Sequence, residues 1–380
     1  MHICFIANEY PKEGFPHGGI GSFVKTMSHL LVEKNHKVTV LGINAYNDED
    51  ERIKDGEVMV IRLKPKRVKG LTWHYNYKRL NEEINKIHLK TPIDIVETTE
   101  LGLAFIKKIP SVKYVIRLHG GHHFFAEAEN RKISKWKGFQ EKRSFKKADG
   151  FIAVSKYVKS HTEQYLSYHN KPIEVIMSPI DLDVFKPMPE INSQPKTLVF
   201  AGTVCEKKGV FQLVKALPQV KERFKDIVLY IYGRDWFFKD GSSYISFLKK
   251  YISESQIDPT YIQFKGAVNT KDLAEKFASA ELCIFPSLME TQGLVAPEAM
   301  AMEKLVVFSN CGPGRETVIH KQTGLLCNPY DEKDIAEKII WALDNRDKCA
   351  IIAKQGRRFV EDNFERNTLT KKNLDFYKSL

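Results

Sequence analysis

No stretch of this chain comes near the ~18 consecutive apolar residues that a membrane-spanning helix needs, so none is expected to cross a bilayer. The first residues, Met1 to Asn8, have neither a basic opening nor a long apolar run. They read as a strand entering a loop, not as a secretory signal peptide. The six cysteines, Cys4, Cys205, Cys283, Cys311, Cys327 and Cys349, never fall at Cys-x-x-Cys spacing, and four lie in or beside apolar runs. That argues against a thiolate metal knuckle and a disulfide framework; buried thiols in a reducing compartment are expected. The 12 histidines form no metal-ligating cluster, and there is no low-complexity tract or short tandem repeat. Gly-x-Gly-x-x-Gly is missing as well, which leaves an NAD-type dinucleotide site poorly supported.

What is present fits a globular chain of two domains: 380 residues, of which 43% are apolar. The net charge of +12 is unevenly spread. Residues 1–180 hold 30 Lys and Arg against 20 Asp and Glu, whereas residues 181–380 hold 29 against 27. Much of the excess lies in Arg62 to Lys90, which also holds Trp73, Tyr75 and Tyr77, and in Arg131 to Lys147. Solvated helix faces are one reading. A surface that meets anionic lipid or a phosphate-linked acceptor is the other. No nucleic-acid recognition motif accompanies the charge.

Short apolar runs alternate with helical patterns throughout. Strands are expected at 2–7, 37–43, 57–63, 93–98, 114–118, 150–154 and 173–177, with helices near 19–34, 73–89, 131–147 and 156–167. After a proline-rich stretch the alternation resumes: strands near 197–201, 227–232, 261–265, 282–286, 305–309 and 324–327. Helices are expected there near 209–223, 243–254, 270–279, 296–302, 332–344 and 347–361, with Asn367 or Thr368 capping a last one. Such alternation implies parallel sheets covered by helices. The fold class is therefore α/β, with two doubly wound Rossmann-like domains facing across a cleft. Boundaries are expected at 1–178, a linker at 179–196, 197–362, and a final helix at 363–380.

The most informative segment is Pro286 to Met300, in which Glu290 and Glu298 flank Gly293-Leu294. It follows the apolar run Leu282 to Phe285, so the glutamates sit at a strand-to-helix turn, where open α/β sheets bind ligands. Amides at Gly293 and Leu294 would be free to face an anion. Two carboxylates around two amide donors suit a ligand with both hydroxyls and phosphates. A glutamate at a helix start also serves the helix dipole alone. Three further loops follow strands. His17-Gly18-Gly19-Ile20-Gly21 could bring backbone close to a ligand. Arg117-Leu118-His119-Gly120-Gly121-His122-His123 puts His119 at a strand's carboxyl end, with His122 and His123 as secondary candidates for acceptor contact. Gly202-Thr203-Val204-Cys205-Glu206-Lys207-Lys208-Gly209 reads either as a phosphate cradle with a mobile cation or as a loop with an exposed lysine.

Together with Gly312 to Glu316 and Thr323 to Leu326, these segments resemble retaining glycosyltransferases of the two-Rossmann-domain (GT-B) type. The family is the large group 1, family 4 class that includes glycogen and sucrose synthases. The resemblance covers nearly the whole chain. It implies that His119 and Glu290 are catalytic, with Glu290 holding the donor sugar. Glu298 would hold the ribose hydroxyls, and Gly19, Lys208, Gly293 and Leu294 would contact the donor. The family usually has arginine where Thr203 stands, and Arg234 is the candidate to replace it. It further implies sugar transfer from a nucleotide-sugar, UDP-sugars among them, to a hydroxyl of a glycan or lipid-linked acceptor in cell-surface polysaccharide synthesis. Anomeric configuration would be retained with no metal or other cofactor; the two Asp-x-Asp tripeptides, Asp48 to Asp50 and Asp181 to Asp183, fall in a loop and in the linker. A cytoplasmic protein peripheral to an anionic membrane face, with no nucleic-acid partner, is expected. An epimerase or phosphorylase on the same architecture, or a non-catalytic nucleotide-sugar-binding protein, are the alternatives.

Overall fold

The computed structural model describes residues 1–15 and 17–380, apart from the side chain of Ala128. The chain forms two compact units: Met1–Pro179 with Arg366–Leu380, and Ile180–Glu365.

Unit 1 runs β1 (His2–Ile6), α1 (Gly19–Glu33), β2 (Lys37–Ile43), β3 (Glu51–Asp55), β4 (Val58–Leu63), α2 (Thr72–Lys90), β5 (Ile95–Thr98) and β6 (Lys113–Leu118). It continues through α3 (His122–Ala128), α4 (Lys135–Lys147), β7 (Gly150–Ala153), α5 (Lys156–Glu163) and β8 (Ile173–Val175). The eight strands are ordered β3-β4-β2-β1-β5-β6-β7-β8, and all pair in parallel except β3 with β4. Every residue of β1, β5 and β7 is buried, as expected of strands covered on both faces. Helix α1 presents Phe23, Val24, Met27, Leu30 and Leu31 to that sheet. Strand β3, Glu-Arg-Ile-Lys-Asp, is an exposed edge without an apolar run, so the strand pattern passes over it.

Unit 2 runs β9 (Thr197–Ala201), α6 (Val210–Arg223), β10 (Val228–Tyr232), α7 (Tyr244–Glu254), β11 (Ile262–Gly266), α8 (Thr270–Ser279) and β12 (Leu282–Phe285). Then come α9 (Val295–Ala301), β13 (Leu305–Ser309), α10 (Gly314–Thr317), β14 (Leu325–Cys327), α11 (Glu332–Asp344) and α12 (Arg346–Phe364). Its sheet is entirely parallel, ordered β11-β10-β9-β12-β13-β14. Both units are thus Rossmann-like. The proline-rich stretch before β9 lies along unit 2: the Ile180 amide donates to Phe364 O, Gln194 N to Ser279 O, and Ser193 Oγ to Ala280 O.

The last helix, α13 (Arg366–Ser379), belongs to unit 1 and puts Leu369, Leu374, Phe376 and Tyr377 into its core. No helix among the described residues is long and apolar enough to cross a membrane.

Candidate functional site

In unit 2 the candidate residues gather on loops that leave the carboxyl ends of β9, β10 and β12. The chain leaves β9 into a single 3-10 turn, Glu206–Lys208, and Gly209 then starts α6 at φ +69°. A Cβ at Gly209 would stand 1.8 Å from Pro286 O, so only glycine lets this turn close on the loop after β12. Met289 N donates to Lys207 O and ties the two loops again. Lys208 Nζ consequently lies 2.5 Å from Glu290 Oε1. The Ser287 hydroxyl donates to the same oxygen at 2.9 Å. Ser287 lies inside the segment singled out in the sequence but received no role there.

Gly293 follows at φ +77°, where a Cβ would strike the Phe308 ring at 2.6 Å. Leu294 starts α9, and neither its amide nor that of Gly293 meets a protein acceptor among the described residues. Glu298 stands in the first turn of α9. It is half-buried, and desolvation by its surroundings pushes its carboxyl up to about 7. The short α10 is joined to this loop through Thr317, whose hydroxyl donates to Gln292 O at 3.3 Å.

Thr203 follows β9, and Arg234 follows β10. Their loops touch: Val204 N donates to Arg234 O, and Arg234 Nε approaches Thr203 Oγ1 at 3.4 Å. The guanidinium is exposed beside the position at which the sequence lacks the family's arginine.

Unit 1 carries His119 and Gly19. Gly19 opens α1, and a Cβ there would meet nothing within 4 Å, so packing alone does not call for glycine. His119 sits directly after β6, its ring 5.2 Å from that of Phe23 in α1. Desolvation, reinforced by the Arg117 charge, lowers its pKa to about 3. It is therefore a neutral imidazole throughout the physiological range. Arg117 is buried and donates to both Glu97 oxygens, at 2.7 and 3.2 Å, while stacking on Phe23 at 4.4 Å. Its Nη2 also donates to Asn373 of α13, and Tyr377 gives its hydroxyl to Glu97 Oε2 at 2.5 Å.

His122 and His123 are tied into the protein's own hydrogen bonds. Both are buried at the start of α3, where the carboxylate of Glu141 accepts from both backbone amides and from His123 Nδ1. His122 Nε2 accepts from Ser134 N at 2.8 Å. These rings hold the loop after His119 in shape. Glu100, buried close by, has its pKa pushed up to about 8 by desolvation and by the charge of Glu141. It lies two residues beyond β5, a strand-end position that the rule applied to His119 would also have flagged.

Unit 1 has a cavity of about 370 Å³ at the carboxyl ends of β1, β2 and β5. Asn8, Glu9, Thr98 and Thr99 supply polar groups, and Trp73 and Tyr77 of α2 form an apolar wall.

Two family profiles divide the chain. Glycosyltransferase Family 4 matches residues 17–184, and Glycosyl transferases group 1 matches residues 183–359. The chain belongs to the family 4, group 1 glycosyltransferases. This glycosyltransferase is 24% identical to the GDP-mannose-dependent alpha-(1-6)-phosphatidylinositol monomannoside mannosyltransferase of Mycobacterium tuberculosis, over 99% of this chain and 98% of that one. It is 24% identical to spore coat protein SA of Bacillus subtilis, over 100% and 99%. Among solved structures it matches sucrose-phosphate synthase from Thermosynechococcus elongatus with a TM-score of 0.86 at 20% identity, over 100% and 98% of the two chains. Anabaena HepE in complex with UDP-glucose matches with a TM-score of 0.80 at 19% identity, over the full length of both. These likenesses establish the glycosyltransferase's fold as the two-Rossmann-domain type.

Proposed function

We propose that this glycosyltransferase moves a sugar from a nucleotide-sugar to a hydroxyl of a glycan or lipid-linked acceptor, with retention of configuration and without a metal. The observation that carries the reading is the contact of Lys208 with Glu290, steadied by Ser287, beside the open amides of Gly293 and Leu294. A cation and two amide donors suit a diphosphate, and the carboxylate next to them suits the hydroxyls of the sugar it carries. Glu298 is assigned to the ribose hydroxyls, and Arg234 to the phosphate contact that Thr203 cannot make. Neutral His119, in unit 1, is assigned the catalytic role that the family resemblance implies for it.

As the bond from the anomeric carbon to the diphosphate oxygen breaks, negative charge grows on that oxygen. Lys208, Arg234 and the two amides would stabilise it where it develops. The acceptor oxygen then bonds to the anomeric carbon on the same face, and its proton passes to the departing diphosphate. The relatives named above are consistent with such a donor, since one is described as GDP-mannose-dependent and another is bound to UDP-glucose.

The test is nucleotide release from a panel of UDP-, GDP- and ADP-sugars, with and without a chelator. Selective release that survives the chelator is expected. Lys208→Ala and Glu290→Ala should each lower it by about 10²-fold or more, the scale of losing one transition-state donor. Unchanged turnover in both variants, with a donor that the wild type does cleave, would sink the assignment. A donor that raised the melting temperature without being cleaved, with or without acceptor, would favour the non-catalytic nucleotide-sugar-binding reading, and no stabilisation by any donor would count against both.

A further inference from the structure

We infer that unit 1 carries a docking surface for an anionic lipid bilayer, formed where the start of α2 meets the start of α4. Trp73 and Trp136 bring the two helices together with ring centroids 5.4 Å apart. Phe105 backs both rings, 4.3 Å from Trp73 and 5.8 Å from Trp136, and Phe139 stacks on Trp136 at 5.9 Å. Around this ridge the side chains that should be inside are outside: Val68, Leu71, Tyr75, Ile133, Trp136 and Phe139 are each between 39% and 50% exposed. Isolated exposed apolar residues need no explanation, but six on two adjoining segments form a patch.

The charge around the patch names the occupant. Residues 64–79 contain six Lys and Arg and no Asp or Glu. Residues 130–147 contain eight, against a single acid, Glu141, which is buried and turned to α3. Exposed Lys66, Lys69, Lys132, Lys135 and Lys137 have no carboxylate partner among the described residues. Aromatic rings beside unpaired lysines match the boundary between headgroups and acyl chains: the rings enter the interface and the lysines reach anionic phosphates. A protein partner would more often meet a patch with mixed charge, and a nucleic acid would leave the aliphatic members unused.

This surface stands independently of the sugar-transfer reading. It has one link to it: Trp73 lies in the aromatic ridge and also in the wall of the 370 Å³ cavity. A membrane-bound molecule would therefore have its polar end close to the strand ends of unit 1.

The experiment is co-sedimentation of the full chain with vesicles of phosphatidylcholine alone and of phosphatidylcholine with about one-third phosphatidylglycerol. Binding to the anionic vesicles should be at least about tenfold tighter than to the neutral ones. The variant Lys132→Glu, Lys135→Glu, Lys137→Glu, confined to exposed side chains, should lose about tenfold or more while melting like the wild type. Trp136→Ser with Phe139→Ser should remove the part of the binding that resists high salt. No binding to anionic vesicles, equal binding to both kinds, or full retention by the charge-reversed variant would overturn the proposal. So would tighter binding to a DNA duplex than to the vesicles, or a dimer that buries Trp136. Donor turnover measured without vesicles is a separate readout, so failure here would leave the catalytic reading untouched.

Discussion

A neutral imidazole at His119 in unit 1 and a carboxyl poised near neutrality at Glu298 in unit 2 respond differently to pH. Burial with Arg117 nearby holds His119 down at about 3, so it contributes no limb to a pH profile between 5 and 9. Glu298, pushed up to about 7, does. A carboxylate accepts two ribose hydroxyls better than a carboxylic acid. Donor affinity is therefore expected to rise between pH 6 and 8, and Glu298→Gln should flatten that rise. Calorimetric titration of the matching nucleoside diphosphate across this range checks it; a wild-type profile that is already flat would remove Glu298 from the ribose. The same desolvation affects folding with the opposite trend. A carboxyl whose folded pKa is raised favours the folded state most when protonated, and that advantage is lost as pH climbs through about 7. Since that loss runs from about 4.5 to about 7, binding and stability should move in opposite directions only where the two ranges overlap, between about pH 6 and 7.

At the scale of elements, the loops that build the unit 2 site are held by backbone as much as by side chains. Gly209→Ala would place a Cβ 1.8 Å from Pro286 O at a left-handed position. It is expected to cost ~2–4 kcal/mol of stability and to separate Lys208 from Glu290. Thermal unfolding beside donor titration tests this: a variant that melts normally and binds normally would show that the turn can be made another way.

The strand-to-helix turns are legible in the sequence because β9, β12 and β13 are largely apolar, and Gly202 follows the first, Pro286 the second and Asn310-Cys311-Gly312 the third. The positions of Glu290, Glu298 and Lys208 followed from that rule. Their contacts did not, since Lys208 and Glu290 are 82 residues apart. Helix α3 was also missed. Its start, His-His-Phe-Phe after two glycines, has little helical signal. Glu141, on a different helix, supplies the acceptors that its first amides need. Local propensity contains no trace of a cap delivered from 18 or 19 residues away.

For the whole molecule the decisive feature is that unit 1 is made of two separate pieces of chain. Arg117 and Glu97 are almost fully buried, and two of their partners, Asn373 and Tyr377, come from the last helix. A buried ion pair leans on whatever partners its remaining groups have, and since the buried Arg117 Nη1 has none among the described residues, the contacts from α13 carry more of that load. Tyr377→Phe removes one donor to Glu97 and should cost ~1–2 kcal/mol. In a differential scanning experiment the unfolding of unit 1 should shift down while that of unit 2 stays. A single transition that moves as a whole would mean that the units unfold as one.

The separation also imposes an order on how this protein is made. Every residue of unit 2 has emerged from the ribosome before Arg366, so that sheet can close while its neighbour is still incomplete. Until Arg366–Ser379 has been made, Arg117 and Glu97 lack Asn373 and Tyr377. A chain interrupted before Arg366 would therefore carry all of unit 2 but lack the second segment of unit 1. The segment Arg366–Leu380 therefore makes completion of unit 1 depend on unit 2 having been made first.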